Sequence, residues 1–518
     1  MNTRMYRRVA GLTMILVLLL SACTSSGRKD PNEEFHVAFN AQPPSLDPLM
    51  STANATQDIA RNIFEPLVAL DAEGEVQPVI ASGWDVSDDG KKTTFELRRD
   101  VKFHNGNKVT AEDVAASLTR WIELSSMGTQ FFEGATAEVV DSSHVAVTTV
   151  RPMRTLLDLL ADPGQLTAIM PANIVNDAPV EGITEFVGTG PFRFVEWRTD
   201  QYVELKKFEE YQPPSGEQSG LAGHREARVD VMRIDFVADP STRLAGLQTG
   251  EYQVATSIPY DSSELIERDT TLQTVVKLTG FNGAVFNKKS GPMSNQLLRQ
   301  AATAAMDIEA VQTAAYASPK FFDLEGGLSK KSNKLYSDAG LEHFNEHDLD
   351  KARALMKEAG YNNEPIRILT SREYEDQYNS AVVVEDNLKK AGFNASLLVT
   401  DWPTLLSTRT DENAYELFTT GWQVTNLPTQ QVFFVKSWPG WTDDEQLTEY
   451  LNGITFAKDD EEQKEAARKL QERFYEYQPI IKYGNSKEIL GASAQVEGLR
   501  FETGAGILLW DVHMNEDQ

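Results

Sequence analysis

The chain has 518 residues and one cysteine, is 41% hydrophobic and 24% charged, and carries a formal net charge of −28 at pH 7. At roughly 100–200 residues per domain, that is enough for about two to four domains with buried cores. The acidic balance excludes general nucleic-acid binding, which needs a Lys/Arg surplus against phosphate. The single thiol excludes an intrachain disulfide and any CxxC zinc or redox site.

That thiol is Cys23. Arg4, Arg7 and Arg8 precede an apolar run over 11–20, and Leu20-Ser21-Ala22 leads into it. The order of positive, apolar and small residues is that of an export signal. Leu20-Ser21-Ala22-Cys23 resembles a bacterial lipobox, which implies a lipoprotein signal peptide over 1–22 and lipid on Cys23. An uncleaved membrane anchor is the alternative, but the run is short of the about 18 apolar residues a span needs. No later apolar run approaches that length, so the body is expected outside the membrane. Residues 24–32 are polar with Gly and Pro and read as a tether, so 23–34 is taken as the lipidated linker.

Phe35, Val37 and Phe39 alternate as in a strand, and the prolines at 43, 44 and 48 then force a loop. Phe95/Leu97 and Val101/Phe103 are two alternating pairs in 93–103, followed by a turn at His104-Asn105-Gly106-Asn107. Thr110-Ala111-Glu112-Asp113 has the capping-box pattern of a helix start, with Ala115, Leu118 and Ile122 on its buried face. Gly188-Thr189-Gly190-Pro191 reads as a turn entering a strand at 192–195, and 213–223 as a surface insertion.

Val229, Val231, Ile234 and Phe236 suggest a strand. Asp239-Pro240-Ser241 opens a helix closed by Gly250, and a second strand begins at Tyr252. The same strand–helix–strand order recurs at 366–369, 379–391 with Gly392, and 397–399. Two such units predict an α/β protein with mostly parallel sheets in two separate lobes. Residues 349–359 and 461–477 carry clear helical patterns.

Catalytic signatures are missing: there is no GxSxG, HExxH or GxxxxGK[ST]. His343 and His347 have the i, i+4 spacing of a metal pair, but without a fixed third ligand a solvated loop or helix end is the plainer reading. No cofactor and no metal are expected. Phe131, Phe132, Trp402, Trp422, Phe433, Phe434, Trp438 and Trp441 fall near loops or strand ends, where aromatics serve either a ligand cleft or ordinary packing. Trp422 ends a strand-like segment, and ligand clefts in α/β folds lie at the C-terminal ends of strands.

A series of landmarks runs the length of the chain. Pro44-Ser45-Leu46-Asp47-Pro48, Ile63-Phe64-Glu65-Pro66-Leu67, Phe95-Glu96-Leu97-Arg98 and Val101-Lys102-Phe103-His104-Asn105-Gly106 come first. Val109-Thr110-Ala111-Glu112-Asp113-Val114, Gly188-Thr189-Gly190-Pro191-Phe192, Arg299-Gln300-Ala301 and Ala305-Met306-Asp307 follow. The run Ala352-Arg353-Ala354-Leu355-Met356-Lys357-Glu358-Ala359-Gly360-Tyr361, then Gly421-Trp422 and Val496-Glu497-Gly498-Leu499, closes the series. In this order they resemble the extracellular solute-binding proteins of family 5, the peptide/nickel group of bacterial ABC importers.

The resemblance implies a bilobed periplasmic-binding-protein-like fold with an extra subdomain in the first lobe. Lobe I would comprise 35–63, 178–279 and 486–518, the subdomain 64–177, and lobe II 280–485. The chain would cross between lobes near Thr279 and Ser486. It implies no enzyme, but a monomeric receptor, lipid-anchored at the outer face of the cytoplasmic membrane, that delivers a peptide or similar polar solute to a permease and ATPase complex. A peptide-sensing signalling lipoprotein, a nickel-chelate receptor and a surface hydrolase are the alternatives.

Peptide-binding relatives commonly carry an Asp shortly after Gly-Trp that pairs with the ligand's amino group. Here Thr425 stands at that position, and a hydroxyl supplies no counter-charge. Trp422 is expected to cover the ligand, and Thr425 and Asn426 to hydrogen-bond to it. Gln42 and Ser45 are expected to face the cleft, Phe281 and Asn282 to contact ligand beside the crossing, and Phe131 and Phe132 to fill an aromatic role in the subdomain.

Overall fold

The computed structural model describes residues 34–515 apart from Ser332, Asn426 and Thr503. Cys23 and the signal segment lie outside the described residues, as does Asn426.

Strand β1 (Glu34–Phe39) opens the fold. The proline-rich loop leads into helix α1 (Asn54–Ile63), which is buried at every residue but the first. Strands β2 (Ala81–Val86), β3 (Lys92–Leu97), β4 (Thr136–Asp141) and β5 (His144–Thr148) form a separate antiparallel sheet in the order β2-β3-β5-β4. Helix α2 (Ala111–Leu124) packs beside it, and its Thr110–Asp113 capping box is formed in both directions. Val101 and Phe103 are buried but belong to no strand; an isolated bridge between Lys102 and Lys108 closes their turn.

Strands β6 (Phe192–Arg198), β7 (Tyr202–Lys207) and β8 (Val231–Phe236) return to the main sheet. Helix α3 (Pro240–Thr249) starts at the Asp239 cap, whose carboxylate accepts from the Thr242 N–H at 2.7 Å. It ends at Gly250, whose φ of 72° needs a residue without Cβ strain. Short strand β9 (Val254–Ala255) follows, then the 15-residue β10 (Leu272–Phe286) and the two-residue β11 (Phe322–Asp323).

Helix α4 (Leu349–Glu358) is closed by Gly360 at φ +72°. The second unit is β12 (Pro365–Ser371), α5 (Glu375–Ala391) and β13 (Asn394–Thr400). Helix α5 begins four residues before its apolar period does. Its first turn is acidic, a composition that the positive end of the helix dipole favours. Strand β14 (Leu417–Gln423), helix α6 (Asp460–Tyr477) and the 14-residue β15 (Ile480–Ser493) complete the frame.

These strands form one 11-stranded sheet in the order β13-β12-β14-β10-β15-β9-β1-β8-β7-β6, with β11 beside β15. The expectation of mostly parallel sheets is corrected here. Only β1 with β8 and β9, and β12 with β13 and β14, pair in parallel. The long central pair β10–β15 is antiparallel and runs through both halves, so the lobes share a sheet instead of each owning one. Sequence alternation hides these strands. Two bulges, at Leu278/Gly280 and Phe281/Gly283, break the period-two pattern of β10.

Gly280 is obligatory at the first bulge, because a Cβ there would overlap the Trp422 carbonyl oxygen. Its ladder partner is Ser486, so the two expected crossing points sit side by side. Apolar side chains such as Phe35, Val37, Ile368 and Leu490 are fully buried on the sheet faces. Each contributes about 1.5–3 kcal/mol relative to exposure.

Candidate ligand-binding site

A cavity of about 990 Å³ opens where β10 and β15 cross between the halves. Its first wall is built by the end of β1, the N-terminal part of α1, the loop after β9, and Phe501 and Ile507 of the C-terminal segment. Its second wall is the first turn of α5 and the C-terminal end of β14. Thr279, Ser486 and Glu488 form the floor. A second cavity of about 710 Å³ shares Asn54, Tyr374, Gln377, Gly421, Trp422 and Gln423 with it. A third, of about 910 Å³, shares Asp162, Thr425, Gln430 and Gly504 with the second. Bonds close the two walls over this line of cavities: Asn40 Nδ2 donates to the Glu373 carbonyl at 2.8 Å, and Gln430 Nε2 to the Asp158 carbonyl at 3.2 Å.

Carboxylates dominate the first cavity. Asp58 projects from α1 and accepts from Arg61 Nη1 at 2.9 Å, one turn further on. Burial pushes its pKa up to about 6, against the pull of Arg61. Asp376 accepts from Asn282 Nδ2 at 2.6 Å and Tyr316 OH at 3.4 Å, and burial raises its pKa as well. Glu488 rises from β15 and accepts from Ser257, whose Oγ lies at 3.3 Å. Burial, with the charges of Asp58 and Asp376 added, pushes its pKa up to about 8. Its ladder partner Lys277 sends its ammonium to Glu502 instead, at 3.2 Å.

Among the described residues, Arg243 is the one cationic side chain on the wall of this cavity. Its guanidinium is committed to the carbonyls of Val237, Ala238, Thr256 and Ser257 at 2.7–3.1 Å, so it braces the loop after β9. The remaining lining is amide, hydroxyl and aromatic, with aliphatic surface from Ala55, Ile258, Pro259 and Ile507. Such a mixture is suited to orienting a polar solute. Among the described residues no cluster of His, Cys, Asp and Glu could hold a metal ion. His343 and His347 meet different carboxylates, Glu346 at 2.5 Å and Asp307 at 3.6 Å.

The expected site residues divide. Trp422 lines the first two cavities and stacks on Phe281, with ring centroids 5.2 Å apart. Phe281 and Asn282 line the first cavity. Thr425 lines the second and third, but its hydroxyl is engaged within its own loop, donating to the Leu427 carbonyl at 2.9 Å and accepting from Gln431 Nε2 at 3.0 Å.

The others are placed elsewhere. Gln42 is tied to Asp200, its carbonyl oxygen accepting the Asp200 N–H at 3.1 Å. Ser45 Oγ accepts the Asp47 N–H at 3.0 Å and shapes the proline loop. Neither lines the cavities. Phe131 and Phe132 are corrected from ligand contacts to core. Phe132 is 1% exposed, edge-on to Trp121 at 5.3 Å, because α2 and the small sheet need that apolar volume.

Asp58, Asp376, Gln377 and Glu488 were not anticipated as lining residues. They come from three separate stretches, Asp376 and Gln377 being neighbours, and only Glu488 carries a linear signal, as a carboxylate set just before the apolar run Ile489-Leu490.

The family model of the bacterial extracellular solute-binding proteins, family 5, matches residues 75–442. The chain belongs to this family. Family-5 proteins are solute receptors of ABC transporters and not enzymes.

Over 467 residues the chain is 30% identical to a probable peptide ABC transporter periplasmic-binding protein, y4tO, of Sinorhizobium fredii, covering 85% of this chain and 86% of that one. It is 26% identical over 442 residues to the glutathione-binding protein GsiB of Escherichia coli K12, covering 82% and 81%. The dipeptide binding protein of Pseudoalteromonas sp. SM9913, solved with Met-Leu, superimposes with a TM-score of 0.81 at 20% identity over 93% of this family-5 chain and all (100%) of that one. That likeness establishes the bilobed α/β fold. Among the described residues no helix is long and apolar enough to cross a membrane.

Proposed function

We propose that this protein is the lipid-anchored receptor of a peptide importer. It binds a short peptide in the line of cavities between its lobes and hands it to a membrane permease driven by an ATPase. The observation that carries the reading is the polar, aromatic-walled cavity at the β10–β15 crossing, in a chain 30% identical to a relative named as a peptide-transport binding protein.

In this reading lobe I comprises 35–63, 178–279 and 486–518, the subdomain 64–177, and lobe II 280–485. Thr279 and Ser486, joined by a hydrogen bond at 3.4 Å, lie at the hinge. Ligand touches both walls only when they close, so it stabilises the closed state by the difference between its closed and open affinities. Lipid on Cys23 keeps a monomeric receptor beside its permease; the two or more acyl chains of a lipoprotein anchor stably where one is marginal.

The test is a thermal-shift and calorimetric screen with defined short peptides. A peptide at 100 times its Kd adds about 2.7 kcal/mol to stability and raises Tm by several degrees. If no peptide shifts Tm while another solute class does, the peptide reading fails and the receptor reading stands. For the anchor, Cys23→Ser should release the protein from the membrane fraction; unchanged retention refutes lipidation at Cys23.

A further inference from the structure

Four carboxylates, Asp58, Glu375, Asp376 and Glu488, line the first cavity from three elements. Arg61 behind Asp58 and the carbonyl-bound Arg243 are the guanidinium groups beside them. Carboxyl groups therefore outnumber the neighbouring cations. A buried carboxylate without a counter-charge is strongly disfavoured, and proteins seldom leave one unpaired without a use. Among the described residues, the hydrogen bonds that Asp376 and Glu488 accept come from neutral groups, the side chains of Asn282, Tyr316 and Ser257 and backbone N–H groups. Lys277, the cation nearest in the ladder, is diverted to Glu502.

A separate observation points to a missing donor. Gln377 is 5% exposed and lines both the first and the second cavity, yet among the described residues its Oε1 has no hydrogen-bond partner. Its carboxamide lies beside Gly421, 3.6 Å from where a Cβ would stand, so the strand leaves room for it against the cavity. A buried acceptor of this kind costs about 1–3 kcal/mol unless something donates to it.

We infer that the hinge-side end of the cavity is a subsite for a cationic group of the ligand, an ammonium or guanidinium, held by Asp58, Asp376 and Glu488 with Gln377 Oε1 as a further acceptor. The inference rests on the receptor reading above and adds to it. The position after Gly-Trp carries a hydroxyl that its own loop consumes. The counter-charge for an amine is supplied instead from α1, α5 and β15. An ammonium has three donors and a guanidinium five, enough to satisfy several of these acceptors at once. The raised proton affinities of Asp58 and Glu488 are what vacant anionic sites show before a cation arrives.

The experiment uses the whole mature protein and three probe sets: lysine-free synthetic tripeptides, the same peptides N-acetylated, and agmatine and putrescine. Binding is read by calorimetry at pH 7. Free tripeptides should bind, and acetylation should weaken them roughly 10- to 100-fold, the range of a lost charge-assisted contact. Glu488→Gln, which keeps shape and removes charge, should erase most of that discrimination; Asp376→Asn is the second variant should the first fail to fold. Equal binding of free and acetylated peptides overturns the subsite and leaves the peptide reading intact. Binding of agmatine or putrescine but of no peptide upholds the subsite and removes the peptide reading. No binding by any probe set overturns the inference.

Discussion

Phe281 and Trp422 are direct ladder partners on β10 and β14, and their rings lie 5.2 Å apart at 31°. Trp422 also meets Phe433 at 5.1 Å and Trp438 at 6.3 Å, so one indole joins the aromatic core around these two residues to the cavity wall. Among the described residues its Nε1 has no partner, which leaves it able to donate to a ligand. Trp422→Ala should therefore weaken peptide binding by at least about tenfold and cost about 3 kcal/mol of stability through lost packing. Calorimetry and denaturant unfolding separate the two. Unchanged affinity would remove Trp422 from the site.

Glu488 yields a pH prediction with a definite sign. Its carboxyl is pushed up to about 8 in the fold, from an ordinary 4.5, so the folded state holds the proton more tightly than the unfolded one. Its contribution is thus fully present below about pH 4.5 and is lost as pH rises through about 8. The charged groups facing it are Asp58 on α1, Asp376 and Glu375 on α5, and Arg243 on α3. Glu488→Gln should raise Tm of the unliganded protein at pH 9 relative to wild type and change it little at pH 5. A Tm difference independent of pH would show that Glu488 is not a strained carboxylate.

His104 works in the opposite sense. Its Nδ1 accepts the Gly188 N–H at 3.2 Å and its Nε2 donates to the Gly190 carbonyl at 2.9 Å, which fixes a neutral ring across the Gly188–Gly190 turn. Burial lowers its pKa from 6.5 to about 4. The depressed value means stability present above pH 6.5 and lost as pH falls toward 4, on the order of 3 kcal/mol. His104→Gln should flatten the acid limb of a Tm-versus-pH curve while lowering Tm at pH 7. An acid limb as steep as wild type would assign the loss to other groups.

Gly280→Ala tests the bulge at the lobe crossing. The added methyl meets the Trp422 carbonyl, a backbone atom that cannot swing away. A loss of about 1–3 kcal/mol is expected, with weaker ligand binding because Trp422 shifts with its own carbonyl. Gly283→Ala, facing the Ile481 carbonyl at 2.5 Å, should behave alike in stability. Wild-type unfolding curves for both would show that the bulged ladder relaxes freely.

What the sequence alone determined is local or cumulative in character. The Thr110–Asp113 box and the Asp239 cap with Gly250 are interactions within a few residues, so their residues suffice to specify them. The ordered landmarks from Pro44 to Leu499 identified the family, and with it the bilobed fold, because many weak matches in fixed order are jointly specific. Trp422, at the end of a readable strand, reached the cavity for the same reason.

Only the tertiary structure decided the character of the cleft. Asp58, Asp376 and Glu488 are hundreds of residues apart in pairs and gain meaning from one shared cavity, where burial makes each carboxylate's charge costly. Phe131 and Phe132 look like cleft aromatics in one dimension and are core in three, because the packing of α2 on the small sheet has the larger claim on apolar surface. The single sheet shared by both lobes was hidden too, since bulged strands such as β10 lose the alternation by which strands are read.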